Sequence, residues 1–179
     1  MSQIDGTAGN DTITGTAGED SIYGYEGDDT LNGGDGTDYL LGFAGNDTLN
    51  GDAGNDTLYA GLGDDTLNGG IGNDWIVGDP GLDLMYGGDG DDTFQIRSTT
   101  DAVVGELING GAGYDIVSVG GTMFYGPIDL TVAQFVGIEA VESWDFSTTM
   151  ILTPGQLGFI TIGHFTHHHS ILSERYLVS

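Results

Sequence analysis

The chain has 179 residues, a length that suits one domain or one solenoid with a cap. Its formal net charge is −26, with 28 acidic residues against Arg97 and Arg175, and such a surface repels nucleic acid and anionic membranes but attracts metal ions. There is no cysteine, which excludes disulfides and thiol chemistry, and no apolar run is long enough to span a bilayer.

Residues 6–95 consist of ten consecutive nine-residue units without a break in register, and an internal repeat of this kind sets the architecture. Position one of the unit is glycine except at Ala60, and position four is always glycine. Position six is always aspartate, at Asp11, Asp20, Asp29, Asp38, Asp47, Asp56, Asp65, Asp74, Asp83 and Asp92. Position eight is always apolar, at Ile13, Ile22, Leu31, Leu40, Leu49, Leu58, Leu67, Ile76, Met85 and Phe94.

Each unit divides into a glycine-rich stretch and a short alternating stretch. Positions one to six combine glycine with small oxygen-bearing side chains, which predicts a tight turn with positive φ angles. Positions seven to nine read polar, apolar, polar, which predicts a short strand with its middle side chain inside. Two nine-residue units then form one eighteen-residue coil, and the strands of successive coils stack about 4.8 Å apart as parallel ladders. We therefore predict an all-β parallel solenoid.

The predicted coil stacks the position-six aspartates in two columns. One column holds Asp11, Asp29, Asp47, Asp65 and Asp83, and the other holds Asp20, Asp38, Asp56, Asp74 and Asp92. Two carboxylates about 4.8 Å apart repel by roughly 3–4 kcal/mol at an effective dielectric constant near 20. Because residues 6–95 contain no Lys or Arg, a multivalent cation is expected to neutralise them.

The residue types in the repeats favour calcium as that cation. Flexible turns with oxygen ligands suit Ca²⁺ better than Mg²⁺, which demands tighter octahedral geometry. The lack of thiolates, and of histidines within the repeats, argues against zinc or copper. Without a cation, we expect the alternative state for such a composition, an acidic and glycine-rich disordered chain.

Units such as GTAGNDTIT (6–14) and GGDGDDTFQ (87–95) resemble the nonapeptide of the RTX, or haemolysin-type calcium-binding, family over about half of the chain. The resemblance implies a right-handed parallel β-roll in which the position-six aspartates and loop carbonyls hold Ca²⁺ between turns. It also implies a secreted, extracellular protein, exported by an ATP-driven one-step (type I) system that reads an uncleaved C-terminal signal. The N-terminal MSQIDGTAGND lacks the features of a cleaved secretory signal, and the tail SERYLVS is a weak match to a C-terminal one.

After the β-roll of residues 1–95, the period breaks and then returns once. Residues 96–118 contain a bend followed by an eleventh unit, GGAGYDIVS, whose position six is Asp115. We predict that the bend sets Asp115 directly above Asp92. Unit nine, GDPGLDLMY, departs most from the pattern around its Asp83.

Residues 119–179 lack the glycine loops and carry short apolar clusters. They are expected to form irregular, calcium-free β coils that cap the last turn, together with a secretion-signal region, because an uncovered edge would recruit other chains. For the repeats themselves, each column of five aspartates offers four gaps. We therefore expect about eight Ca²⁺ ions, and a ninth between Asp92 and Asp115.

The outward positions seven and nine differ between the two faces. One face carries a ladder of small polar side chains: Thr12, Thr14, Thr30, Asn32, Thr48, Asn50, Thr66 and Asn68. Hydrogen bonding along the stack explains this ladder structurally, and a surface for ice or a crystalline polysaccharide is the functional alternative. The other face carries the aromatic residues Tyr23, Tyr39, Tyr59 and Trp75, which either stack on sugars or a cell-surface partner or pack beneath the C-terminal region.

We expect no enzymatic activity from this chain. It contains no HExxH motif, no GxSxG elbow, no phosphate-binding loop and no cysteine nucleophile. The His164 to His169 cluster is expected in a solvated tail rather than in a zinc site, and an acid role for Glu142 and Asp145 on a sugar has little support. The remaining alternative is a carrier module of a larger secreted hydrolase or epimerase.

Overall fold

A computed structural model describes residues 1–98, 100–101, 104–120, 128–130, 133–143, 150–151 and 161–164, and these residues contain β-strands and turns but no α-helix. No helix in these ranges is therefore long and apolar enough to cross a membrane. The strands are β1 (Ser2–Asp5), β2 (Thr12–Thr14), β3 (Asp20–Glu26), β4 (Thr30–Asp35), β5 (Tyr39–Ala44), β6 (Thr48–Ala53), β7 (Thr57–Leu62), β8 (Thr66–Ile71), β9 (Trp75–Val77), β10 (Leu84–Asp89), β11 (Thr93–Ile96), β12 (Leu107–Ala112), β13 (Ile116–Val119), β14 (Ile128–Asp129), β15 (Gln134–Val136), β16 (Ala140–Ser143), β17 (Met150–Ile151) and β18 (Thr161–His164).

Consecutive strands of the repeats alternate between two parallel sheets, so the chain winds as a solenoid. One sheet has nine strands in the order β1-β3-β5-β7-β9-β11-β13-β16-β18, and the other has seven in the order β15-β12-β10-β8-β6-β4-β2. Strands β14 and β17 pair separately. Within the repeats each strand pairs with the strand eighteen residues further on, as in Thr30↔Thr48 and Thr48↔Thr66. The predicted all-β parallel solenoid of about eighteen residues per coil is confirmed.

The strands are longer than the sequence pattern predicts. Six of the ten strands β2 to β11 run for six residues, from position seven of one unit to position three of the next, as in Thr30–Asp35. The turn is therefore confined to positions four to six. Position one continues the ladder, since the Gly15 N–H donates to the Asn32 carbonyl at 2.8 Å. Glycine at position one is thus a strand residue, and it was wrong to count it in the turn.

The interior is filled by two rows of apolar side chains, one from each sheet, which are the position-eight residues and their equivalents outside the ten units. One sheet contributes Ile4, Ile22, Leu40, Leu58, Ile76, Phe94, Val117 and Val141, and the other contributes Ile13, Leu31, Leu49, Leu67, Met85, Ile108 and Phe135. All are buried except those of the terminal rungs Ile4, Ile13 and Phe135, which are partly exposed. Burying such a side chain contributes about 1.5–3 kcal/mol. Only two of them lie in each coil, so the core is thin.

The glycine at position four lets successive turns lie in contact. Gly45 has a φ of +139°, a conformation that side-chain-bearing residues rarely adopt. A methyl group on Gly45 would also overlap the carbonyl oxygen of Gly27 in the coil below. Gly18 holds the same position in its own unit, but open space surrounds it.

We expect Leu58→Ala to destabilise the calcium-loaded fold by about 2–5 kcal/mol, because it opens a cavity in the hydrophobic core. Leu62→Ala in the same strand is the matched control, since Leu62 is 60% exposed and Leu58 is fully buried. That control should change stability by no more than about 0.5 kcal/mol. Urea unfolding followed by circular dichroism measures both, and equal effects would contradict the assignment of the core.

We expect Gly45→Ala to destabilise the fold by at least about 1–3 kcal/mol, through backbone strain and overlap with the coil below. Gly18→Ala makes the same chemical change at the same position of another unit, where a methyl group meets nothing. Thermal unfolding of the two calcium-loaded variants measures the difference. A Gly45→Ala protein as stable as Gly18→Ala would show that the turns do not lie in contact.

Candidate metal centre

The strand register stacks the position-six side chains one above another, as predicted. Thr30 pairs with Thr48 and Thr57 pairs with Trp75, so the aspartates immediately before them align across coils. From Asp20 to Asp115 these aspartates are at most 2% exposed. Two columns of buried carboxylates therefore run along the solenoid.

From Asp20 onwards, one oxygen of each carboxylate accepts a hydrogen bond from the backbone of the coil before it. The Asp29 N–H donates to Asp47 Oδ1 at 2.8 Å, and the Asp38 N–H donates to Asp56 Oδ1 at 2.8 Å. The Asp92 N–H donates to Asp115 Oδ1 at 2.9 Å. The prediction that Asp115 lies directly above Asp92 is confirmed. Asp83 keeps the same bond, at 3.0 Å from the Asp65 N–H, although its unit departs most from the pattern.

The second oxygen of most of these carboxylates is buried without a hydrogen-bond partner. In the described part of the chain this holds for Oδ2 of Asp29, Asp38, Asp47, Asp56, Asp65, Asp74, Asp83, Asp92 and Asp115. Leaving a buried charged group unpaired is strongly unfavourable, unless a cation or a proton compensates it. The geometry therefore calls for a positive partner at each of these oxygens.

The first coil differs from the others. Asp11 Oδ2 accepts the Thr7 N–H at 2.6 Å, and Asp20 Oδ2 accepts the Thr16 N–H at 2.6 Å and its hydroxyl at 2.8 Å. The N–H and hydroxyl of Thr16 lower the pKa of Asp20. The Ser2 N–H also donates to Asp20 Oδ1 at 3.3 Å. In both aspartates Oδ2 already has donors, so it needs a cation less than Oδ2 of the later aspartates does.

A main-chain oxygen lies beside the unpartnered carboxylate oxygen in most coils. A methyl group on Gly42 would overlap both Asp47 Oδ2 and the carbonyl oxygen of Ala60 in the next coil. The two oxygens therefore face the same small space, and the equivalent pair recurs around Gly24, Gly33, Gly51, Gly69 and Gly87. Carboxylate and carbonyl oxygens held on turns are the ligands that Ca²⁺ prefers.

Side chains alone do not complete such a site. Within the ranges that the structure describes, no three His, Cys, Asp or Glu side chains lie close enough to hold a metal ion together. The columns explain this, because they bring only one carboxylate per coil to each gap. Main-chain carbonyls would have to supply the remaining ligands.

The arginine near the columns does not neutralise them. Among the described residues Arg97 is the only Lys or Arg, and its Nε donates to Asp79 Oδ1 at 3.0 Å. Its guanidinium also lies 5.2 Å from the ring centroid of Tyr59. Asp79 is a position-two residue outside both columns, so the buried carboxylates keep their need for a cation.

From Asp29 onwards, burial raises the pKa values of the column carboxylates. The pKa of Asp47 is raised to about 6, and those of Asp56, Asp65, Asp83 and Asp92 are raised to about 7. The backbone N–H donors oppose this shift, and the neighbouring carboxylates of the columns add to it. Without a metal ion, the folded chain therefore holds protons that an unfolded chain would release near pH 4.

Sequence reasoning missed two glutamates that extend the columns. Leu107 pairs with Leu84, which places the buried Glu106 above Asp83. The Asp115 N–H donates to Glu139 Oε2 at 2.8 Å, which places Glu139 above Asp115. Burial raises the pKa of Asp115, and the Glu139 charge adds to that effect. The signal for Glu106 was ELIN directly before GGAG, which fits positions six to nine with Glu for Asp.

The outward ladder of the seven-stranded sheet hydrogen-bonds to itself. Asn50 Nδ2 donates to Asn32 Oδ1 at 2.9 Å, and Asn68 Nδ2 donates to Asn50 Oδ1 at 2.7 Å. This supports the structural explanation of the ladder. On the opposite sheet, the Tyr25 and Phe43 rings stack 5.4 Å apart at 8°, so each covers a face of the other.

Three other candidates from the sequence lie largely outside the described residues. These are the histidine cluster beyond His164, Asp145, and the tail SERYLVS. Glu142 lies in β16, outside both columns.

A family model described as an RTX calcium-binding nonapeptide repeat, in four copies, matches residues 5–40, 41–76 and 69–95. Together these matches span half of the chain and coincide with the regular part of the two columns. No curated protein matches the chain.

We expect the metal-free chain to be more ordered at pH 5 than at pH 8. The folded pKa values of about 6 to 7 lie above the usual value near 4, so the folded state binds extra protons. Their stabilisation is complete below pH 4 and is lost as the pH rises through 6 to 7. Circular dichroism of metal-stripped protein measures the ordered fraction.

Asp56→Asn should reduce this pH dependence, whereas Asp35→Asn, at an exposed carboxylate, should leave it unchanged. Order that increases with pH in the metal-free chain would contradict the prediction.

Proposed function

Because the chain belongs to the RTX calcium-binding nonapeptide-repeat family, we propose that it is a calcium-binding solenoid module that orders outside the cell when it meets Ca²⁺. RTX repeats bind Ca²⁺, and a β-solenoid built from them fits a calcium-binding β-roll. The residues that bind the ions, the number of ions and the coupling to folding are our proposals.

The observation that carries the proposal is the set of buried Oδ2 atoms without hydrogen-bond donors. Seven of these nine atoms face the same space as a main-chain carbonyl oxygen, and neither oxygen of such a pair has a positive partner there. We propose the column aspartates, from Asp11 to Asp92 and Asp115, as the side-chain ligands. Four gaps in each column and one more between Asp92 and Asp115 give about eight or nine ions.

Calcium binding and ordering are expected to be one process. The two carboxylates of a gap belong to different coils, so the site exists only when both coils are formed. Binding free energy at such a site is folding free energy. Each bound ion would replace the protons that the buried carboxylates hold in the metal-free fold.

The same coupling explains how an exported chain orders in the right place. Proteins with RTX repeats are typically secreted. Extracellular calcium modules bind with dissociation constants of about 10⁻⁴ to 10⁻³ M. A chain with such affinities stays unfolded at low cytosolic calcium and orders outside the cell. We therefore propose secretion, through the one-step route that the family resemblance implies.

RTX repeats are typically structural rather than catalytic. The column carboxylates point into the stack, where they are buried, and a substrate would have no access to them. We propose a structural, ion-binding role for the chain, either alone or as a module of a larger secreted protein.

We expect millimolar Ca²⁺ to convert the metal-free chain at neutral pH from a disordered state to the parallel β fold. The same concentration of Mg²⁺ should not do so, because Mg²⁺ needs tighter octahedral geometry. Circular dichroism over a calcium titration, reversed with EDTA, measures the transition. Full β structure that survives exhaustive chelation at pH 8 would contradict the proposal.

Asp56→Asn should raise the calcium midpoint at least about tenfold, because a lost charged ligand is worth more than about 1.4 kcal/mol. Asp52→Asn is the matched control in the same unit, since Asp52 is exposed and outside the columns. Its positive φ of 71° is one that asparagine also tolerates. Equal midpoints for the two variants would exclude Asp56 as a ligand.

A further inference from the structure

The column of Asp20 and Asp115 continues for one rung beyond the last nonapeptide unit. Ile116 pairs with Ala140 in the same way as Thr93 pairs with Ile116, so Glu139 stands above Asp115 as Asp115 stands above Asp92. The hydrogen bonds match as well. The Asp115 N–H donates to Glu139 Oε2 at 2.8 Å, and the Asp92 N–H donates to Asp115 Oδ1 at 2.9 Å.

The gap below Glu139 has the same oxygen donors as the gaps in the repeats. Asp115 is fully buried, and its Oδ2 has no hydrogen-bond partner. A methyl group on Gly110 would overlap both Asp115 Oδ2 and the carbonyl oxygen of Gly137. One coil earlier, a methyl group on Gly87 would overlap Asp92 Oδ2 and the carbonyl oxygen of Gly110. The Gly137 carbonyl thus takes the place that a position-one carbonyl holds in the repeats.

The change from aspartate to glutamate fits the shorter turn that leads into β16. Asp115 follows its position-one residue Gly110 by five residues, whereas Glu139 follows Gly137 by only two. A shorter turn places the backbone differently, and glutamate has one more methylene with which to reach the column. The hydrogen bond from the Asp115 N–H shows that it does reach.

We propose that a calcium ion binds between Asp115 and Glu139, with Asp115 Oδ2, the Gly137 carbonyl and the Glu139 carboxylate among its ligands. This inference rests on the proposed function, in which the columns bind calcium. The site lies beyond residues 5–95, which the family model matches, and its Gly137 and Glu139 ligands belong to residues 119–179, which the sequence predicted to be calcium-free. It ties the last regular coil to the strands that follow it.

A simpler role for Glu139 is to cap the Asp115 N–H without any ion. Glutamine separates the two roles, because its amide oxygen accepts the same hydrogen bond but carries no charge. The cap alone predicts that Glu139→Gln changes nothing. The calcium site predicts that the same variant loses an ion.

The experiment is equilibrium dialysis of the full chain against radioactive calcium, at the lowest free concentration that saturates the wild type. Glu139→Gln should bind one ion fewer per chain than the wild type. Glu142→Gln is the matched control, because it removes the same charge three residues further on, within β16 and outside the columns. It should bind the wild-type number, which also excludes a loss of nonspecific binding as the cause.

Circular dichroism in calcium should give the wild-type spectrum for Glu139→Gln. An unchanged ion number in Glu139→Gln would overturn the inference, and so would a loss of several ions or of β structure, which would indicate that the coil itself had opened. A wild type that binds no calcium would instead refute the proposed function. The two failures are therefore distinguishable.

Discussion

The buried carboxylate oxygen without a donor is the constraint on which this solenoid depends. The core adds only two side chains per coil, and from Asp29 onwards the parallel ladders alone leave a charged oxygen of each column aspartate without a partner. Such an atom is tolerated only beside a cation or as a protonated group. The order of the whole stack is therefore coupled to what occupies the gaps between its coils.

From Asp29 onwards, the two oxygens of each column aspartate have different surroundings. Oδ1 accepts the N–H of the preceding coil and fixes the side chain in one orientation. Oδ2 is then held in place beside a carbonyl oxygen before any ion arrives. Glycine at position one serves this arrangement, because a side chain there would occupy the space that the two oxygens face. Ala60 is the exception, so a single methyl group is accommodated at one rung.

The nonapeptide register was enough to predict the two columns and the position-eight core, because both follow from a fixed period. Asp115 lies 23 residues after Asp92, and its place was predicted from the eleventh unit GGAGYDIVS that surrounds it. The strand lengths did not follow from it. Glycine at position one looks like a turn residue, but its role is to leave space beside the carboxylate. Glu106 was missed because it combines a spacing of 23 residues from Asp83 with glutamate in place of aspartate, although ELIN directly before GGAG fits the end of a unit. Glu139 follows Asp115 by 24 residues and has no nonapeptide unit around it, so only strand pairing reveals its alignment. The sequence pattern also did not distinguish Asp11 and Asp20 from the later aspartates. Their Oδ2 atoms accept hydrogen bonds from Thr7 and Thr16, and a pattern of residue types does not show which donor reaches which oxygen.

The choice of aspartate over asparagine argues for a cation rather than for a purely structural column. An asparagine at position six would accept the same backbone N–H through Oδ1 and direct its Nδ2 donor towards the neighbouring carbonyl. The column would then be satisfied without any ion. The chain uses that solution elsewhere, since Asn32, Asn50 and Asn68 form a self-sufficient ladder on the outer face. At position six, by contrast, most units place the second carboxylate oxygen beside a carbonyl oxygen, which is also an acceptor. Two facing acceptors repel each other, so the arrangement stabilises the fold only when a positive charge lies between them.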